Sequence, residues 1–221
     1  MRWISYGPNA LLFHFADRLG HETFAKGRAI VAELEKQPPL GLVEFVTAFT
    51  SVLLEFDSVQ VPEPRQIADE LAARLELAAA TELTPQPIKE IPVTYNGPDL
   101  ERVAQAHGLM IEEIQALHAA RVYQVYMLGF SPGFPYLGDL DPKLHTPRLS
   151  SPRPLVRAGS VAIGGEHTGI YTVDSPGGWN IIGHTSTRIF DPTRARSSGD
   201  EEAMFFLRSG DRVKFVPATT L

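Results

Sequence analysis

The chain has 221 residues, 43% of them hydrophobic, a formal net charge of −6 and no cysteine. This is the composition of a globular protein with a core; it excludes disulfides, thiolate metal sites and cysteine nucleophiles, and no apolar run approaches the roughly 18 residues that span a membrane. Residues 1–121 carry ten Lys and Arg against seventeen Asp and Glu, residues 122–221 ten against nine, so a break near residue 121 separates two surfaces, neither basic enough for nonspecific nucleic-acid binding.

The first twenty residues hold Asn9, His14 and Asp17 where a secretion signal needs a continuous apolar region, which points to the cytoplasm. Ile4 to Phe15 sets two short apolar runs around Gly7-Pro8-Asn9, a hairpin pattern. His21 to Gln37 predicts a helix: Phe24, Val31 and Leu34 recur at helical spacing, and Pro38-Pro39 ends it. Leu42–Ala48 and Ser51–Phe56 read as strands, Glu63 to Glu82 as a second helix with Ile67, Leu71 and Leu75 on one face, and Lys89–Tyr95 as a further strand. The order β-β-α-β-β-α-β suggests an α+β sandwich, with helices on one face of an antiparallel sheet. We place a domain boundary between residues 87 and 88.

A helical lead-in over 98–120 is broken at Gly108 and has the layout of a helix-turn-helix. Its second helix opens with Glu112-Glu113, where a DNA reader needs Arg or Lys, so it reads as a connecting helical pair. From Val122 helical periodicity vanishes. Short apolar pieces at 122–130, 160–165, 169–173, 179–183, 188–191 and 211–216, separated by turn residues, predict an all-β barrel or sandwich over 88–221.

Gly129-Phe130-Ser131-Pro132-Gly133 spells the G-x-S-x-G of a nucleophile elbow. An elbow needs the backbone N–H after the serine for its oxyanion hole, and Pro132 has none. Loss of one such donor costs about 100- to 1,000-fold in rate, so Ser131 is not read as a nucleophile. The stretch instead combines Phe130, Phe134 and Tyr136 with stiff prolines and with Gly133 and Gly138. It is either the wall of a small-molecule pocket or a packed loop that closes a barrel end.

Arg148, Arg153 and Arg157 stand within ten residues, stiffened by Pro147, Pro152 and Pro154, and guanidiniums bind carboxylate or phosphate through paired donors. An anionic ligand for one or two of them, or pairing with Asp139 and Asp141, are the two readings. Gly164-Gly165-Glu166-His167 is not a phosphate-binding loop, which needs Gly-Lys-Ser/Thr; it reads as a hairpin turn, with His167 a general base, a pocket group or a structural histidine. Gly177-Gly178 precede Trp179 and Asn180, and the indole either stacks on a planar ligand or packs in the core. No pair of histidines has metal-ligand spacing with a supporting carboxylate, so no metal site is expected.

Taken together, Gly129 to Arg148, Ser151 to Thr185 and Ile189 to Pro192, with Val43 to Asp57 and Lys89 to Tyr95, resemble the KipI / allophanate hydrolase subunit 1 family, whose members are the B subunits of 5-oxoprolinase. The resemblance covers nearly the whole chain. It implies an α+β domain over 1–87 and a cyclophilin-like β-barrel over 88–221. It further implies one component of an ATP-dependent enzyme, inactive alone, that opens the cyclic amide 5-oxo-L-proline to L-glutamate. ATP with Mg would be co-substrate, and the partners a carboxyltransferase-like C subunit and a LamB/YcsF-type A subunit. The alternatives are a KipI-like inhibitor of a sensor histidine kinase, or a component of an allophanate- or urea-type amide hydrolase or carboxyltransferase. The resemblance nominates Arg148, Arg153 and His167 as catalytic candidates. For substrate or ATP binding it nominates Gly133, Phe134, Tyr136, Arg148, Arg153, Gly164, Gly165, His167, Gly177, Gly178, Trp179 and Asn180. The family commonly has Gln at the position of His167 and Arg at that of His184, so an anion contact at 184 is absent here.

Overall fold

The computed structural model describes residues 1–18, 20–79 and 86–218 and divides into two compact units, residues 1–85 and 86–221. In the first, β1 (Arg2–Ser5) and β2 (Ala10–His14) form the predicted hairpin. Helix α1 (His21–Lys36) follows, then β3 (Leu42–Thr47), β4 (Ser51–Phe56) and α2 (Ala68–Ala78). The four strands make an antiparallel sheet in the order β1-β2-β4-β3. Period-2 alternation sends Leu11, Phe13, Val52, Leu54 and Phe56 into one core layer, which Ile30 and Leu34 of α1 and Leu71 and Leu75 of α2 fill. The predicted second helix begins as a 3₁₀ turn at Pro64–Ile67, and its last predicted turn falls partly outside the described residues.

The sequence order β-β-α-β-β-α-β is observed, but the fifth strand goes elsewhere. β5 (Ile88–Val93) pairs in parallel with the last strand of the chain, in the second unit. That unit continues with α3 (Leu100–His107), α4 (Ile111–Ala120), β6 (Val122–Leu128), β7 (Pro135–Gly138), β8 (Arg153–Val156), β9 (Ser160–Gly164), β10 (His167–Ile170), β11 (Ser175–Gly177), β12 (Asn180–His184), α5 (Pro192–Ser198) and β13 (Arg212–Pro217). Seven strands form one mixed sheet in the order β12-β9-β10-β7-β6-β13-β5, and β8 and β11 form a separate ribbon. Thr94, just past β5, exchanges backbone hydrogen bonds of 2.9 Å with His184 at the end of β12. The two outer strands thus meet at one point, and the sheet curls around a core of Ile91, Val125, Leu137, Val161, Ile163, Val213 and Phe215.

The strand expected at 188–191 does not form. Phe190 makes only an isolated bridge to Phe205, and Asp191 caps α5 instead, accepting from the Thr193 N–H at 3.0 Å. Helices α3 and α4 pack on the curled sheet. His118 of α4 is fully buried; Tyr95 Oη lies 2.8 Å from its Nδ1 and Thr168 Oγ1 2.8 Å from its Nε2.

Candidate functional site

The β6–β7 connection is built by two backbone bonds, Gly129 N–H to Phe134 O at 3.1 Å and Phe134 N–H to Ser131 O at 3.0 Å. Between them Phe130 adopts a left-handed φ of 73° and turns its ring outward, 64% exposed. Thr172 Oγ1 donates to Pro132 O at 2.7 Å, and the Ser131 hydroxyl lies 3.3 Å from Thr172 Oγ1. Since the Thr172 proton is committed, Ser131 is the donor of that contact. Its neighbour is a hydroxyl, not an imidazole.

This loop forms one wall of a cavity of about 320 Å³. Phe134 is its pivot: its ring meets Tyr136, Tyr171 and Trp179 edge-on at centroid distances of 5.1, 5.3 and 5.5 Å. Such edge-to-face contacts fix ring orientations as well as burying area. Gly177 and Gly178 line the cavity beside the rings, and Arg148, Leu149 and Pro152 lie at its rim. Two glycines serve the walls rather than a ligand. A Cβ on Gly164 would sit 2.7 Å from the Trp179 indole, and one on Gly177 would collide with the Tyr171 hydroxyl.

Of the residues nominated from sequence, Phe134, Tyr136, Arg148, Gly177, Gly178 and Trp179 converge on this cavity. The others take different places. Gly133 packs near Phe205, and Gly165 opens the two-residue turn between β9 and β10. Asn180 is fully buried; its Nδ2 donates to Pro147 O at 3.0 Å and Ile163 O at 3.2 Å, and its Oδ1 accepts from Arg102. Arg153 donates through Nη2 to Asp99 Oδ1 at 2.7 Å, while Asp99 Oδ2 takes the Ile181 N–H at 2.7 Å; Arg153 Nη1 is buried without a hydrogen-bond partner. His167, on β10, lies edge-on to Tyr126 at 6.4 Å. Burial lowers its pKa, and Arg148 and His145 add to that against Glu166 and Asp139. Arg157 pairs with Asp174 at 2.5 Å on the surface.

Two wall residues carry no usable signal in the sequence. Phe130 reads there as an anchor without a direction, and Tyr171 as part of a strand that in fact ends one residue earlier, at Ile170. Burial raises the Tyr171 pKa, opposed by the Trp179 N–H and the nearby Arg148 and Arg153 charges. Arg148 is the one charged side chain lining the cavity, and it forms no ion pair among the described residues. Its guanidinium lies 5.6 Å from the Trp179 ring centroid. A cavity of this size, at the lower end of the roughly 300–1,000 Å³ of ligand sites, holds one small ring and its substituent, not a whole nucleoside triphosphate. A second, polar depression of about 430 Å³ is lined by Thr172, Thr185, Ser186, Thr187, Arg188 and Thr193 among others. No three His, Asp or Glu side chains converge on one point among the described residues.

The chain matches the family profile for the carboxyltransferase domain, subdomain C and D, over residues 1–198. It is 38% identical to the B subunit of 5-oxoprolinase from Bacillus subtilis (strain 168), over 95% of this chain and 90% of that protein. It is 53% identical to the B subunit of 5-oxoprolinase from Escherichia coli O157:H7, over 58% of this chain and 57% of that one. The crystal structure of TTHA0988 superposes with a TM-score of 0.80 at 38% identity, covering 96% of this chain and 40% of that longer one.

Proposed function

The chain belongs to the carboxyltransferase subdomain C and D family and groups with the 5-oxoprolinase B subunits within it, and from that premise we propose that it is one component of an ATP-dependent 5-oxoprolinase. The enzyme opens 5-oxo-L-proline to L-glutamate. The observation that carries this reading is identity of 38% sustained over 90% of the Bacillus subtilis protein. The aromatic cavity agrees with it, since a five-membered lactam is a small, partly apolar ring.

The lactam amide is unreactive. Transfer of a phosphoryl group from ATP to its oxygen opens the carbonyl carbon to attack by water. In this reading residues 88–221 form a cyclophilin-like barrel that holds the lactam, residues 1–87 are a separate α+β domain, and the enzyme works in the cytoplasm. Nucleotide and Mg, along with the remaining catalytic groups, involve a carboxyltransferase-like C subunit and a LamB/YcsF-type A subunit. That this chain covers only 40% of TTHA0988 supports a chain that works beside further polypeptide.

The test is glutamate formation from 5-oxoproline and ATP by the three co-expressed proteins, with this chain omitted as the control. Turnover that requires this chain is the expected result. An assembled complex that leaves 5-oxoproline intact overturns the reading, and turnover of a urea-type amide in its place moves the chain to that substrate class.

A further inference from the structure

We propose that Arg148, laid on the face of Trp179, is the clamp for the carboxylate of the cyclic amide, with the aromatic cavity behind it holding the ring. The inference rests on the 5-oxoprolinase reading and assigns the cavity to the lactam rather than to the nucleotide.

Three observations carry it. First, Arg148 is exposed yet its backbone is fixed on both sides. The Leu149 N–H donates to Gly178 O at 2.7 Å, and Asn180 Nδ2 donates to Pro147 O at 3.0 Å. Both ties lead to the strand and turn that carry Trp179, so the guanidinium and the indole are set by one local frame. Second, stacking at 5.6 Å uses the face of the guanidinium and leaves its N–H edges free. Those edges are the part that takes a carboxylate through two parallel hydrogen bonds. Third, no carboxylate of the chain lines the cavity, so nothing internal competes for those edges. The walls behind Arg148 are Phe134, Tyr136, Tyr171 and Trp179, which offer the apolar contact that a small ring needs and a triphosphate does not.

Arg153 differs on each point. Its backbone is in β8, its Nη2 is taken by Asp99, and it does not line the cavity. It positions the frame and does not hold the ligand.

The experiment measures KM separately for 5-oxoproline and for ATP in the assembled enzyme carrying wild-type, Arg148→Ala or Arg148→Lys chain. Inhibition by 2-pyrrolidinone, the same ring without its carboxylate, is measured alongside. Removal of a charge-assisted bidentate contact should raise KM for 5-oxoproline roughly 10- to 100-fold. Lysine should recover only part of that, because it keeps the charge but not the fork. KM for ATP and inhibition by 2-pyrrolidinone should not move. If Arg148→Ala raises KM for ATP and leaves that for 5-oxoproline unchanged, or weakens 2-pyrrolidinone equally, the clamp is overturned while the 5-oxoprolinase reading stands. If the wild-type enzyme does not turn over 5-oxoproline, that reading falls. Saturation-transfer NMR of 5-oxoproline with this chain then decides the clamp: absence of Arg148-dependent binding overturns it.

Discussion

Acid should destabilise this protein through a single buried histidine. His118 is fully buried, its ring 4.5 Å from that of Phe215. Thr168 Oγ1 donates its proton to Ala162 O at 3.0 Å, so it must accept from His118 Nε2–H, and Nδ1 then accepts from the Tyr95 hydroxyl. Both ring nitrogens are satisfied in the neutral form. Burial pushes the pKa down from 6.5 to about 3. The unfolded chain therefore binds a proton between about pH 6.5 and 3 that the folded chain refuses. Stability from this group is fully present above pH 6.5 and lost as pH falls through that window. At pH 5.0 the loss is about 2 kcal/mol, from about 1.36 kcal/mol for each pH unit below 6.5. His118→Gln does not titrate and retains a donor and an acceptor. Urea unfolding of both proteins at pH 7.5 and 5.0, followed by Trp179 fluorescence in a Trp3→Phe background, isolates the second unit, since the chain has two tryptophans. Wild type should lose about 2 kcal/mol more than the variant between the two pH values. Equal losses would refute the assignment of His118 as the buried neutral group.

Three further outcomes follow from the same geometry. Asp99→Ala strips Arg153 and the Ile181 N–H of their shared acceptor, and because the Arg153 side chain keeps 29% exposure the cost should be about 3 kcal/mol, below the upper end for a buried pair. A calorimetric Tm lowered by roughly 6–12 °C checks this, and Asp99→Asn should lose less. Gly164→Ala pushes a methyl into the Trp179 ring and should cost about 1–3 kcal/mol, with a shifted Trp179 emission maximum and a raised KM for 5-oxoproline. An unchanged emission spectrum would show that the indole does not lie on that glycine. Ser131→Ala should leave kcat within about twofold, whereas a nucleophile would lose on the order of a millionfold.

The parts of the fold legible in sequence are those set by local pattern. Ser51–Phe56 alternates cleanly, and the observed strand has those same ends. Alternation says nothing of partners, so the parallel pairing of Ile88–Val93 with Arg212–Pro217, more than a hundred residues on, is invisible there. β7 and β11 hide behind Pro135, Pro176 and their glycines, residues that normally break strands. At the site, Phe134, Tyr136 and Trp179 stand out as large rings held between Gly and Pro. Tyr171 does not, because whether a strand ends at Ile170 or runs on decides where the next ring points. The three arginines look alike in sequence. What separates them is a carboxylate 54 residues from Arg153, one 17 residues from Arg157, and none beside Arg148.

The chemistry of the cavity also says why this chain should depend on partners. Its lining offers four aromatic rings from Phe134, Tyr136, Tyr171 and Trp179, one guanidinium, and no Asp, Glu or His. Burial raises the Tyr171 pKa, which keeps that phenol protonated and unfit as a base near neutrality. Binding and orientation are within reach of such a set; abstraction of a proton from water is not. His167 is the nominated base closest in sequence, but it stands on β10 beside Tyr126 rather than in the lining. A lactam held by Arg148 and the rings would therefore present its amide to groups brought by another chain. On that division of labour, loss of the clamp should appear in KM for 5-oxoproline, and loss of a partner's base should appear in kcat alone.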